Sequence, residues 1–217
     1  MQFSTNDDFI NVDIDHLIVA GWTARNQASV DHHIQELAEL GVAPPSEVPL
    51  FYRTSAALIT QAHTVQVLGE ETSGEVEPII VRHEGRLWLG VASDHTDRGL
   101  EAHSVAQSKQ VCAKPVADRL WAFEDVQMHL DRLILRSWIK EGEEWTLYQD
   151  GSLATIRPLP DLIEAVALKD GTAMLCGTLP AIGGVRPASQ MRLCLTDPVL
   201  DRQIEWIYEL ETLPIVA

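Results

Sequence analysis

Two glutamates stand two residues apart in the segment GEVEPIIV, Glu75 and Glu77, and the residues after them are rich in β-branched side chains. Successive side chains of a strand point to opposite faces, so this spacing places both carboxylates on one side. Carboxylates that share a site repel each other until one takes up a proton or a cation joins them. A hard divalent ion prefers such oxygen ligands. A third oxygen ligand is offered by Asp94, which follows the apolar stretch RLWLGVAS at the head of the polar run SDHTDR. The same spacing also fits a solvated strand face with Asp94 in a turn, and an E-x-E pattern alone does not choose between the two.

Upstream, DHHIQE sets His33 and Glu36 three residues apart on an expected helix, hence on one face. A carboxylate beside an imidazole fixes its tautomer and raises its basicity, which suits a general base acting on water. His32 adjoins His33, and spacing does not say which of them is the base. An exposed helix face explains the pair equally well. His95 and His103 flank the acidic loop and raise a zinc alternative, but a carboxylate-rich set suits Mg2+ or Mn2+ better than an ion preferring nitrogen and sulfur.

The elements that position these residues are mostly strands. An alternating pattern from Phe9 to Ala20 predicts one strand ending at Gly21, and apolar spacing predicts a helix over Ser29 to Leu40, capped by Ser29 and stopped at Gly41. LFYR, HTVQVL, VEPIIV, RLWLGVAS, WTLYQ, TAMLCG, QMRLCLTD and RQIEWIYELE are short, β-branched or aromatic, and separated by Gly, Asp or Pro. A second helix is expected near Ala122 to Lys140, with helix plus strand as the alternative, and a short third at Leu162 to Leu168. Trp88, Trp121, Trp138, Trp145 and Trp206 are assigned to core or interface.

Bulk properties narrow the class. An apolar content of 46% supports a buried core, and without a linker residues 1–217 are expected to form one domain. A formal charge of −16, from 32 acids against 16 Lys and Arg, excludes a phosphate backbone as partner. Cys112, Cys176 and Cys194 form no CxxC pair, which argues against a disulfide scaffold and a zinc ribbon. The start MQFSTNDDFINVDID lacks the features of a signal peptide, and no apolar run reaches membrane-span length, so a cytoplasmic protein without membrane contact is expected.

In chain order these segments resemble the fumarylacetoacetate hydrolase superfamily over most of the chain. The H-x-x-E helix and the proline-rich turn into LFYRTSAAL are similar to the approach to that family's L-F-x-K-P-x-S-A-L strand, with Arg53 at its lysine and Ser55 or Ala56 near its serine. GEVEPIIV resembles the Y-E-x-E-L metal motif at Glu75 and Glu77, and VASDHTDRGLE resembles A-N-D-x-x-x-R-D-x-Q, with Asp94 as third metal ligand and Arg98 as a positively charged substrate-binding residue. SKQVCAKP is similar to K-x-F-D-x-x-x-P at Lys109, and CGTLPAIGGV to G-T-P-x-G-V-G at Gly177 and Thr178.

The resemblance implies a β-rich α+β fold, a mixed β-sandwich roll with a few peripheral helices, assembled as a homodimer. It also implies a hydrolase or lyase that uses Mg2+ (or Mn2+) on a small 2-oxo or 1,3-dioxo acid, by C–C hydrolysis, decarboxylation or hydration through a metal-stabilised enolate. His33 with Glu36 would be the base and its orienter, and Lys109 would stabilise developing charge. Arg53, Arg98 and Thr178 would hold the substrate. The competing readings are Arg98 paired on the surface with Asp97 or Glu101, Lys109 solvated, and Thr178 in a plain turn. Departures fall on substrate contacts: Arg53 replaces a lysine, Glu101 stands where the family has glutamine, and the interval between Glu77 and Asp94 is short enough to lack a helix. A catalytically silent metal-dependent metabolite-binding protein is the alternative, and a structural metal protein a further one.

Overall fold

The computed structural model describes every residue except Asp7, Leu40 and Ala217, together with all side chains but those of His33 and Leu37. The chain opens with β1 (Gln2–Ser4), β2 (Phe9–Asn11), β3 (His16–Gly21), α1 (Gln27–Glu39), β4 (Leu50–Thr54), β5 (Ile59–Thr60) and β6 (Thr64–Leu68). The long hairpin β7 (Thr72–His83) and β8 (Arg86–Asp97) follows, then α2 (Arg98–Glu101), α3 (Val105–Gln110), β9 (Lys114–Pro115), β10 (Trp121–Ala122) and α4 (Phe123–Val126). The last part holds β11 (Ile134–Glu141), β12 (Glu144–Ser152), α5 (Leu159–Val166), β13 (Thr172–Leu175), β14 (Gln190–Asp197) and β15 (Arg202–Leu213).

Two mixed sheets carry the fold, one of six strands in the order β10-β8-β7-β13-β3-β4 and one of five in the order β12-β11-β14-β15-β6. Their facing sides share one core. Ile18, Val76, Ile80, Leu89, Val91 and Met174 of the first sheet are buried in one cluster with Leu135, Ile139, Met191, Leu193, Ile204 and Tyr208 of the second. The other face of the six-stranded sheet buries Leu17, Val19, Ile79, Val81 and Ala173 beneath Phe3, Val12, Val116 and Leu120. With both faces covered, the central strands carry near-continuous apolar runs, as in PIIV and LWLGVA. Among the described residues no helix is long and apolar enough to cross a membrane.

The β7–β8 hairpin turns through Glu84 and Gly85, both with positive φ, as a two-residue type I′ turn requires. Nothing else separates the strands, in keeping with the short interval between Glu77 and Asp94.

Several expectations change in detail. The third helix, α5, starts three residues before Leu162 and ends two before Leu168, and β8 runs on past Ser93 through Asp94 to Asp97. The first strand is two, β2 and β3, broken between them. Helix α1 starts two residues earlier than expected because Asn26, not Ser29, caps it: the Asn26 side-chain oxygen accepts from the Ala28 N–H at 2.8 Å. The helix is described to Glu39, Leu40 lies outside the described residues, and Gly41 is left-handed at φ +87° as expected. The Ala122–Lys140 segment is a helical turn, α4, followed by the strand β11 and not one long helix. Leu135, Ser137 and Ile139 alternate inward along β11 while Trp138 faces out under the Arg192 guanidinium, so a period of two prevails where a short apolar run fits both periods.

One buried charge closes the β14–β15 turn. Asp197 Oδ1 accepts from the Val199 N–H at 3.0 Å and from His129 Nε2 at 3.0 Å, and Arg202 Nε donates to Oδ2 at 3.3 Å. Burial would raise the Asp197 pKa, but these bonds outweigh it and hold the carboxyl below its ordinary range. A depressed carboxyl stabilises the fold above its unfolded pKa, and that contribution is lost as pH falls through the folded pKa. Asp197→Asn is therefore expected to cost about 1–3 kcal/mol at pH 7 by urea unfolding. Its deficit against wild type should shrink as the pH drops below about 4.

Candidate functional site

The register of β7 against β8 sets Glu75 opposite Asp94, Glu77 opposite Ala92 and Ser73 opposite Thr96. All three carboxylates thus share one face of the hairpin, with Glu77 diagonal to Asp94. Glu77 and Asp94 are 3% and 1% exposed, so their charges are out of water and need compensation.

Each carboxylate meets a different partner. Arg98, at the start of α2, spreads its guanidinium over three acceptors: Glu75 Oε2 at 2.9 Å, Glu101 Oε2 at 3.0 Å and Ser73 Oγ at 2.7 Å. Burial works against the charged guanidinium, but Glu75 and Glu101 overcome it and raise its pKa. Lys109, on α3, donates to Asp94 Oδ2 and to Thr96 Oγ1. Burial opposes its charge as well, and Asp94 overrides it.

A second ammonium lies beneath. Lys114 is fully buried, and its Nζ donates to the carbonyl oxygens of His95 at 2.6 Å, Lys109 at 2.7 Å and Cys112 at 3.0 Å. Those bonds use all three of its protons. Asp94 Oδ1 lies 3.2 Å from this nitrogen and yet has no hydrogen-bond donor among the described residues. Burial alone would raise the Asp94 carboxyl, but the charges of Lys109 and Lys114 outweigh it and pull it down to about 2.

Glu77 is the carboxylate without a cation of its own. Its Oε2 accepts the Gly177 N–H at 2.7 Å, and among the described residues it makes no ion pair. Burial, then repulsion from Asp94, pushes its pKa well above the ordinary carboxylate value. Gly177 reaches it because φ is +98° there; a Cβ at this position would lie 1.6 Å from Thr23 Oγ1. Thr178, next along, is tied down on both sides: its hydroxyl donates to Val76 O and accepts from Gln149 Nε2, both at 2.8 Å. Gln149 is fully buried, and its oxygen also takes the Val76 N–H and the Ser137 hydroxyl.

The structure thus brings Glu75, Glu77, Asp94, Arg98 and Lys109 together. Arg98 pairs with Glu101, as one reading had it, but within the site. Thr178 has its hydroxyl proton committed inside the fold. Arg53 is exposed: it lies opposite Ile18 in register, on the face away from the carboxylates, whereas its neighbour Tyr52 lies on the carboxylate face. Glu36 is exposed on α1 and pairs with His32 at 3.3 Å, and the His33 side chain lies outside the described residues. His95 points into the inter-sheet core and bonds the Tyr208 hydroxyl at 2.7 Å, while His103 is exposed, so neither supports zinc. Lys114, Gln149 and Tyr52 were not found from the sequence. Lys114 lay inside a quoted motif, but nothing in SKQVCAKP marks it as buried.

The donor set fits a hard divalent ion in its chemistry, all carboxylate, with Asp94 Oδ1 unsatisfied and Glu77 uncompensated. As arranged here, no group of three His, Cys, Asp or Glu side chains among the described residues is gathered to hold a metal. Lys109 and Arg98 occupy that role and would have to yield Asp94 and Glu75. Open volume does not mark the site: a groove of about 640 Å³ along β15, lined by His63, Asp118, Trp206 and Glu209, touches none of the three carboxylates.

Residues 20–208 match the family described as protein of unknown function (DUF2848). The chain belongs to this family. No curated protein sequence matches it. Among solved structures it is similar to 2-keto-3-deoxy-D-arabinonate dehydratase complexed with magnesium and 2,5-dioxopentanoate, at 16% identity and TM-score 0.64, covering 96% of this chain and 78% of that one. It is also similar to 4-oxalocrotonate decarboxylase from Pseudomonas putida G7, complexed with calcium and acetate, at 13% identity and TM-score 0.56, covering 94% and 78%. A structure of Cg1458 with inhibitor gives 14% identity and TM-score 0.68, covering 94% and 78%. These neighbours have the fumarylacetoacetate hydrolase fold, so the resemblance carried by the motifs holds for the fold of this family member.

The Gly177 contact can be tested alone. Gly177→Ala is expected to lose about 2–4 kcal/mol in urea unfolding, from the left-handed backbone and the collision with Thr23. Adding Thr23→Gly should recover part of that loss by removing the collision while leaving the strain. A Gly177→Ala variant as stable as wild type would show that this backbone is not fixed as described.

Proposed function

We propose that this protein is a divalent-metal-dependent enzyme, lyase or hydrolase, acting on a small 2-oxo or 1,3-dioxo acid. The observation that carries the reading is Glu77, buried beside Asp94 with its pKa driven up and no cation of its own. A site so short of positive charge suits a divalent cation, with Glu75, Glu77 and Asp94 as its ligands and Mg2+ or Mn2+ as the hard ions of choice. Such an ion supplies Lewis acidity towards a carbonyl oxygen. The similarity to a dehydratase bound to magnesium and a dioxo compound, and to a decarboxylase bound to calcium, supports the same chemistry.

The chain's own residues would then do the rest. Lys109 and Arg98, freed from Asp94 and Glu75, become fixed positive charges at the rim for a substrate carboxylate, Arg98 as a planar fork and Lys109 as a point charge. Gly177 holds Glu77 through its N–H, and Gln149 holds Thr178 so that this N–H stays in place.

One observation favours a second reading, a metal-dependent metabolite-binding protein without turnover. The His32–Glu36 pair sits on an exposed helix, at 72% and 58% side-chain exposure, while Glu77 and Asp94 are buried. Turnover of any 2-oxo acid in a panel, followed by loss of carbonyl absorbance with Mn2+ present, decides for the enzyme.

Thermal unfolding tests the metal. A ligand that binds only the native state adds about 2.7 kcal/mol at a hundredfold excess over its Kd. In a chain of this size that raises Tm by roughly 5–10 °C. Mn2+ or Mg2+ should produce this shift in wild type and not in Glu75→Gln/Glu77→Gln, which keeps the shape of both side chains. A shift of equal size in the double variant would remove these glutamates from the site.

A further inference from the structure

Trp22 and Tyr52 have no part in the chemistry proposed so far, yet both carry marks of a functional position. Trp22 directly follows β3 and holds φ at +61°, a left-handed conformation that a bulky residue keeps only when its surroundings impose it. Its indole Nε1–H donates to the Tyr52 hydroxyl at 3.1 Å. Tyr52 is half-buried on β4, on the face that carries the three carboxylates, and its ring centre lies 5.8 Å from Lys109 Nζ. In the six-stranded sheet β4 and β8 stand on opposite sides of β7. Tyr52 therefore faces Asp94 across the site, with Lys109 between them.

The hydrogen bond from Trp22 fixes the direction of the one the phenol can give. The hydroxyl oxygen already accepts from the indole, and its own proton has no acceptor among the described residues. Burial raises the Tyr52 pKa, with Trp22 and Lys109 pulling the other way less strongly, so the group stays a protonated donor at neutral pH.

We propose that Tyr52, oriented by Trp22, reads the substrate: its hydroxyl donates a hydrogen bond to an oxygen at the end of the oxo acid remote from the carboxylate cluster. This rests on the oxo-acid reading above and narrows it to substrates with a distal carboxylate, carbonyl or hydroxyl. A site built to hydrogen-bond a substrate oxygen discriminates against an analogue that lacks it.

Calorimetric titration of the Mn2+-loaded protein with 2-oxoglutarate, which has a distal carboxylate, and pyruvate, which ends in a methyl group, tests this. Wild type should bind 2-oxoglutarate more tightly than pyruvate. Tyr52→Phe, which loses only the hydroxyl, should keep its Mn2+ and pyruvate affinities and bind 2-oxoglutarate roughly tenfold more weakly, the effect of one charge-assisted hydrogen bond. Trp22→Phe should show a smaller loss of the same selective kind. Equal 2-oxoglutarate affinity in wild type and Tyr52→Phe, or a wild type that prefers pyruvate, overturns the role of Tyr52 alone. A wild type that does not bind Mn2+, or binds it and then neither oxo acid, overturns the oxo-acid reading on which that role rests.

Discussion

Carboxylates taken out of water must find positive charge or a proton, and the β7–β8 hairpin sets three of them side by side. Much of the surrounding architecture answers that demand. Helix α2 delivers Arg98 to Glu75, α3 delivers Lys109 to Asp94, and the following strand buries Lys114 under the same aspartate. Four carboxylates, counting Glu101, then face three fixed cations, and Glu77 is the one left over. The imbalance falls on Glu77, which among the described residues makes no ion pair and lies diagonal to Asp94, the carboxyl held lowest. Ion pairs of this kind hold the site together when no other charge is present, and under the proposed function they are what a metal ion would have to displace.

Rigidity comes from buried side chains that tie backbone segments together around the carboxylates. Gln149 uses both ends of its amide, joining β7, β11 and the Gly177–Leu179 turn, so the backbone N–H that Glu77 accepts is fixed from behind. Lys114 does the same on the other side by gathering carbonyls from β8, the end of α3 and the loop after it. Both are buried polar groups with all their hydrogen bonds made, the condition under which such groups specify structure and do not weaken it.

The sequence carried the strands and the shared face of Glu75 and Glu77 well, because period two needs only local pattern. Asp94 was placed by the end of an apolar run, and the observed register puts it directly opposite Glu75. Less was legible where tertiary packing chooses between local options. The run from Ala122 to Lys140 fits helix and strand alike, and its pairing with β12 and β14 decides for strand. Arg53 followed a family lysine in alignment, but alternation turns it to the wrong face and brings Tyr52 forward, a distinction that a one-residue difference in phase reverses. Lys114 could not have been found at all from its neighbours in sequence, since its partner Asp94 lies on another element. Glu36 pairs with His32 at i,i+4, and the side chain of His33, its expected i,i+3 partner, lies outside the described residues.

The most direct test of the metal site is a crystal structure of the protein soaked in Mn2+, with anomalous scattering recorded near the manganese edge. The account predicts one strong anomalous peak within ligand distance of Glu75, Glu77 and Asp94, with Lys109 withdrawn from Asp94. Crystals that show no peak there, with the Lys109–Asp94 and Arg98–Glu75 pairs intact at saturating Mn2+, would contradict it and leave the cluster a structural one.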